Sequence, residues 1–99
     1  EEDGFTEVVP DLVAEVISPN DTAAELDAKV EEWLAAGVRL VWVVNPALRT
    51  VRVYRPDGTG ERLQVGDTLT ADPVLPGFSS PVADLFRLPG GAAPAGPVQ

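Results

Sequence analysis

The chain contains no cysteine, no histidine and no methionine. Without cysteine there is neither a disulfide framework nor a thiolate metal site. Without histidine, imidazole-based acid–base catalysis and imidazole zinc sites are excluded. The chemistry left to the sequence is that of carboxylates, hydroxyls, backbone and one lysine. Any metal would be held by oxygen alone, which points to magnesium or manganese. The absence of methionine, with Glu1-Glu2 at the start, predicts a fragment or a processed piece. Aromatic residues are scarce, at 6 %. No apolar run approaches the ~20 residues of a membrane span, and no signal-peptide pattern is present. The expectation is a soluble cytoplasmic protein.

Of seven basic residues only Lys29 is a lysine. A guanidinium stays protonated and forks onto anions, whereas an ammonium is a compact charge that can sit beside a metal or a phosphate. The net charge of −9 argues against tight electrostatic binding to nucleic acid, which needs a basic footprint. That objection weakens if the acids gather divalent cations, or if a missing segment carries the basic surface. Hydrophobic content of 44 % is ordinary for a globular protein, and the 99 residues make one domain at most.

The apolar, β-branched run between Pro10 and Pro19 predicts a strand over about Asp11–Ile17. Asn20 or Asp21 then caps a helix over Thr22–Ala36. Leu26, Val30, Trp33 and Leu34 form its apolar stripe, opposite Asp27, Glu31 and Glu32. Gly37 is placed to end it in a left-handed cap. Val38–Val44 is apolar on both faces, as befits a strand in the middle of a covered sheet. The result is a βαβ unit with parallel strands and a right-handed crossover.

Asn45-Pro46 opens a turn, Thr50–Tyr54 alternates as a more exposed strand, and Arg55-Pro56-Asp57-Gly58 is a strong turn signal. Glu61–Val65 returns as the hairpin partner. A compact loop follows at Leu75–Phe78, and Pro81–Phe86 forms one helical turn that packs Leu85 and Phe86 on the core. Trp33 and Trp42 read as core residues. Glu1–Glu7 reads as an approach loop, and from Pro89 the Gly/Ala/Pro composition predicts a disordered tail over 89–99. The glycines of that tail lack the Lys-Ser/Thr of a phosphate loop.

Asp11 and Glu15 share strand parity and so point to one face. Glu15 is the sharper case, an acid in mid-strand between Ala14 and Val16. Buried without a partner it would be costly; on an edge strand its face could instead be exposed to solvent. Asp11, after Pro10, could equally serve as a turn or cap. Four residues of extended strand span about 13 Å, whereas magnesium–oxygen distances are about 2.1 Å. The two carboxylates are therefore not expected to share one ion. Lys29 falls roughly 90° from the centre of the helix stripe, on the Trp33 side, at ~100° per residue. There it can reach over the sheet edge, or pair with Glu25 or Glu32 as a solvated side chain.

The stretches PDLVAEVISPND, ELDAKVEEWLAAGVRLVWVVNP, TVRVYRPDG and VLPGF occur in this order between Val9 and Phe86. Together they resemble the Uma2 family of restriction-endonuclease-like proteins in the PD-(D/E)XK nuclease superfamily. The resemblance implies an α/β fold, a mixed α+β arrangement. Its mixed sheet would comprise the βαβ unit and hairpin over residues 1–88, as the C-terminal part of a domain incomplete at its N-terminus. It also implies a magnesium- or manganese-dependent endonuclease site acting on nucleic acid, with DNA the expected substrate, no membrane partner, and homo-oligomerisation left open.

In the superfamily pattern an Asp lies on one strand and Glu-x-Lys on the next. Here Glu15-Val16-Ile17 occupies the Glu-x-Lys place, with Ile17 where lysine is expected. The Uma2 group resembles a variant in which the lysine has moved into the following helix, at Lys29. By this resemblance Glu15 is a metal ligand, and Lys29 orients the attacking water or stabilises charge on the phosphate. Asp11 matches the Asp of the family's PDLvvE-like stretch and is carried with Glu15 as a candidate metal ligand and catalytic group. The superfamily's metal-binding Asp is expected upstream of residue 1. Asn45 stands where the family often has Asp before the Pro, and reads as a turn variation. Two rivals remain: a non-catalytic α/β binding module, which the −9 charge favours, and an inactive truncated remnant.

Overall fold

The computed structural model describes residues 8–87. The expected approach loop at 1–7 and the expected tail at 89–99 lie outside the described residues. The observed order is β1 (Leu12–Val16), α1 (Ala23–Ala35), β2 (Leu40–Asn45), β3 (Thr50–Tyr54), β4 (Gly60–Leu63), β5 (Thr68–Thr70), β6 (Ser79–Pro81) and a 3₁₀ turn at Val82–Phe86. The strands β1 to β4 form one mixed sheet in sequence order, with β1 and β2 parallel and the other pairs antiparallel. The expected βαβ unit followed by a hairpin is therefore the architecture observed, with element ends shifted by one or two residues.

Both ends of α1 are fixed by the backbone chemistry of their residues. The start differs from expectation: the cap is Thr22, not Asn20 or Asp21. Its hydroxyl accepts the Glu25 N–H at 3.1 Å, while the Glu25 carboxylate accepts the Thr22 N–H at 3.0 Å. Two N–H groups that an isolated helix start leaves unpaired are thereby satisfied reciprocally. Asp21 instead accepts the Ser18 N–H at 2.9 Å and closes the turn out of β1. At the other end Gly37 takes φ 110°. The Val38 N–H donates to Trp33 O and the Gly37 N–H to Leu34 O, both at 3.1 Å, which is a Schellman turn. Val38, fully buried, then packs in the same cluster as Trp33.

Strand β2 is the spine of the sheet. Val41 and Val43 face α1 and join Val30 and Val38 in one cluster, with Val13, Ile17, Trp33, Leu34 and Tyr54 around it. Leu40 faces the other way, into a second cluster with Val51, Val53, Leu69, Ala71 and Val82. Each such side chain stabilises the fold by about 1.5–3 kcal/mol relative to exposure. The covering layer of this second face is the β5–β6 pair with the 3₁₀ turn, and Leu85 and Phe86 pack against it as expected. The β5–β6 pair is the one element the sequence did not announce. Trp42 belongs to this cluster and lies 5.9 Å, centroid to centroid, from Phe78.

Candidate functional site

Strand β1 places Glu15 directly beside Val43 of β2, so its side chain projects from the sheet face that α1 covers. The Glu15 side chain is only 20 % exposed. It is not the acid of a solvent-facing edge. Its Oε2 accepts the indole N–H of Trp33 at 2.8 Å, and its Oε1 lies 3.8 Å from Lys29 Nζ. Lys29 and Trp33 are four residues apart on α1 and therefore present one side of the helix to the same strand.

Lys29 is thus neither a free solvated side chain nor, among the described residues, the partner of Glu25 or Glu32. Its side chain is 51 % exposed, and its ammonium turns back to Glu15. The arrangement leaves one oxygen of a half-buried carboxylate beside an accessible cation, with the other oxygen fixed by a rigid donor. Trp33 is the member that the sequence reading missed: it was expected only as core. Its place one helical turn beyond Lys29 was the available signal.

Asp11 stands apart. It precedes β1, is exposed, and contributes its backbone carbonyl to the N–H groups of Arg39 and Leu40 at 3.0 Å. The structure does not bring its side chain to Glu15, in keeping with the distance expected along a strand. Asn45, at the end of β2, accepts the Leu48 N–H through its side-chain oxygen at 3.1 Å. An Asp carboxylate would do the same, which accounts for the substitution as a turn variation.

Magnesium usually binds through one or two carboxylates, keeping several waters and substrate phosphate oxygens for the rest. Glu15 fits one such place, with Oε1 unshielded by a hydrogen bond. Among the described residues there is no group of three or more Asp and Glu side chains that could form a complete protein cage. Nor is any described helix long and apolar enough to cross a membrane.

Comparison with known proteins places this chain in a family. The fold resembles the crystal structure of a putative nuclease belonging to DUF820 from Anabaena variabilis, with a TM-score of 0.71 and 23 % sequence identity. The match covers 81 % of this chain and 45 % of that one, so the chain spans less than half the length of that protein. Comparison with curated proteins finds no match. A family model described as "Uma2: Putative restriction endonuclease" matches residues 1–83. With the match running through β1, α1, the hairpin and the start of the 3₁₀ turn, the chain belongs to the Uma2 family.

Proposed function

We propose that the chain carries part of a metal-dependent endonuclease site that hydrolyses phosphodiester bonds in nucleic acid, DNA being the first candidate. The observation that supports this most is the approach of Lys29 Nζ to a half-buried Glu15 carboxylate. Glu15 would hold a magnesium or manganese ion. When bound, such an ion lowers the pKa of water and offsets charge on a phosphoryl oxygen.

The residues present do the remaining work. Trp33 holds one carboxylate oxygen and so fixes the direction in which the other is offered. Lys29, its side chain half exposed, can orient an attacking water or meet the negative charge developing on the phosphate. Asp11, exposed at the entrance to β1, would be a second candidate carboxylate, for an ion other than the one at Glu15. The outer edge of β1 pairs with no strand among the described residues. A strand added there by the whole protein could carry a further acid next to Glu15.

The test is cleavage of DNA and RNA by the full-length protein with magnesium or manganese. Glu15→Ala and Lys29→Ala should each lower the rate by orders of magnitude, since each 1.36 kcal/mol of barrier is tenfold. Undiminished cleavage in both variants would sink the assignment. The lack of a three-acid group among the described residues favours a second reading, a non-catalytic binding module. Calorimetry separates the two: the module reading requires that magnesium binding be the same in wild type and Glu15→Gln.

A further inference from the structure

The face of the sheet that carries Glu15 also carries two arginines opposite each other. In the observed register Glu15 is beside Val43, Val43 beside Arg52, and Arg52 beside Arg62. The four therefore form one row across β1, β2, β3 and β4. Val43 and Tyr54 both pack in the cluster beneath α1, which fixes the side on which Arg52, and with it Arg62, projects. Helix α1 covers the β1–β2 half of this face. Among the described residues no element covers the β3–β4 half, and both arginines are exposed on it.

This placement is unfavourable for the isolated fold. Like charges directly opposite on neighbouring strands repel each other. Among the described residues no carboxylate forms an ion pair with either guanidinium; Glu61, next to Arg62 in sequence, pairs with Arg55 instead. In a chain of net charge −9, with six arginines, two are set side by side where one anion could relieve both. A guanidinium is suited to that anion because its planar fork matches phosphate oxygens.

We propose that Arg52 and Arg62 form a clamp for the phosphodiester backbone of nucleic acid, across α1 from Glu15 and Lys29. The proposal rests on the endonuclease reading above and adds to it the surface that holds the substrate. With strands about 4.8 Å apart, the two arginines stand about 10 and 14 Å from Glu15 along the row. They grip phosphates on the far side of α1 from the reacting one. They position the strand and take no part in the chemistry.

The experiment is equilibrium binding of a fluorescein-labelled DNA duplex to the full-length protein in EDTA, as a function of salt. It compares wild type, R52Q/R62Q and R52K/R62K, with cleavage against DNA concentration measured in parallel. Each lost phosphate contact reduces the slope of log K against log salt by about 0.9, so R52Q/R62Q should be shallower by about 1.8. Between about 50 and 200 mM salt the wild type would then lose about tenfold more affinity than the variant. The lysine pair should keep most of the slope, and in R52Q/R62Q the loss should appear in KM more than in kcat. Thermal melting should show R52Q/R62Q at least as stable as wild type, which separates lost binding from lost folding. An unchanged slope in R52Q/R62Q, with cleavage intact, would overturn the clamp and leave the nuclease reading standing. A wild type that neither binds nor cleaves nucleic acid would overturn both.

Discussion

The indole of Trp33 donates to Glu15 across an interval of 18 residues, at 2.8 Å, and lies one helical turn beyond the lysine that approaches the same carboxylate. A tryptophan that packs in the cluster beneath the helix therefore also sets the orientation of the acid inside β1. Replacing it tests that second role. Trp33→Phe keeps most of the apolar body and removes the donor. A hydrogen bond to a charged group contributes about 1.5–3 kcal/mol, and the partial exposure of Glu15 places the expected loss near the lower end. Urea unfolding measures it. In the full-length protein the same variant should lower kcat more than it raises KM.

Lys29 gives the opposite signature. Its pairing with Glu15 is long, at 3.8 Å, and half of the side chain is in solvent. Exposed ion pairs contribute about 0–1 kcal/mol. Lys29→Gln should therefore leave the unfolding midpoint nearly unchanged while reducing cleavage by about 10²–10³, the usual range for removing one group that stabilises developing charge. Equal loss of stability and activity would contradict a functional role.

Gly60 is constrained by proximity rather than by φ. A Cβ at this position would lie 2.8 Å from the Val53 carbonyl oxygen in the neighbouring strand. Backbone must shift to admit it, so Gly60→Ala should destabilise by about 1–3 kcal/mol, as overpacked sites do. Chemical denaturation of the variant, with an unchanged m-value, is the appropriate check.

The β3–β4 turn predicts an acid-sensitive contribution. Asp57 accepts both the hydroxyl and the backbone N–H of Thr59, at 2.7 and 2.9 Å. The hydroxyl bond first, and the backbone bond second, hold its carboxyl below the ordinary 3.8. A depressed folded-state value stabilises the fold above 3.8 and loses that contribution as pH falls through the lowered value. Asp57→Asn should therefore flatten the acid limb of a melting-temperature profile and leave pH 7 to 8 unaffected in shape. A profile that parallels wild type below pH 4 would refute the assignment.

Much of this was legible because the signals are local. Pro10 and Pro19 bound a β-branched run, the Leu26–Leu34 stripe has helical period, and Gly37 supplies the left-handed residue that ends α1. The cap was misread because Asn20, Asp21 and Thr22 are all competent, and only the reciprocal bond to Glu25 selects the third. The β5–β6 pair escaped because TLT and SSP carry no apolar run; their pairing depends on Leu69 being drawn into the second cluster. Lys29 and Glu15 stand out in the sequence as the lone lysine and an acid within an apolar strand, and the family resemblance adds their roles, whereas Trp33 reads as core. Periodicity explains where an indole ring is buried and says nothing of where its N–H points. The opposition of Arg52 and Arg62 required the hairpin register, which no single strand contains.

The Schellman turn at Gly37 and the capping box at Thr22 hold a helix whose two ends are each secured by its own neighbours in sequence. Glu15, Lys29 and Trp33 all lie on this helix or the strand just before it. The spacing of acid and cation is therefore a short-range property, closed by little loop entropy. Lesions in the β5–β6 layer should reduce how much folded protein accumulates, while each folded molecule keeps the spacing of Glu15 and Lys29.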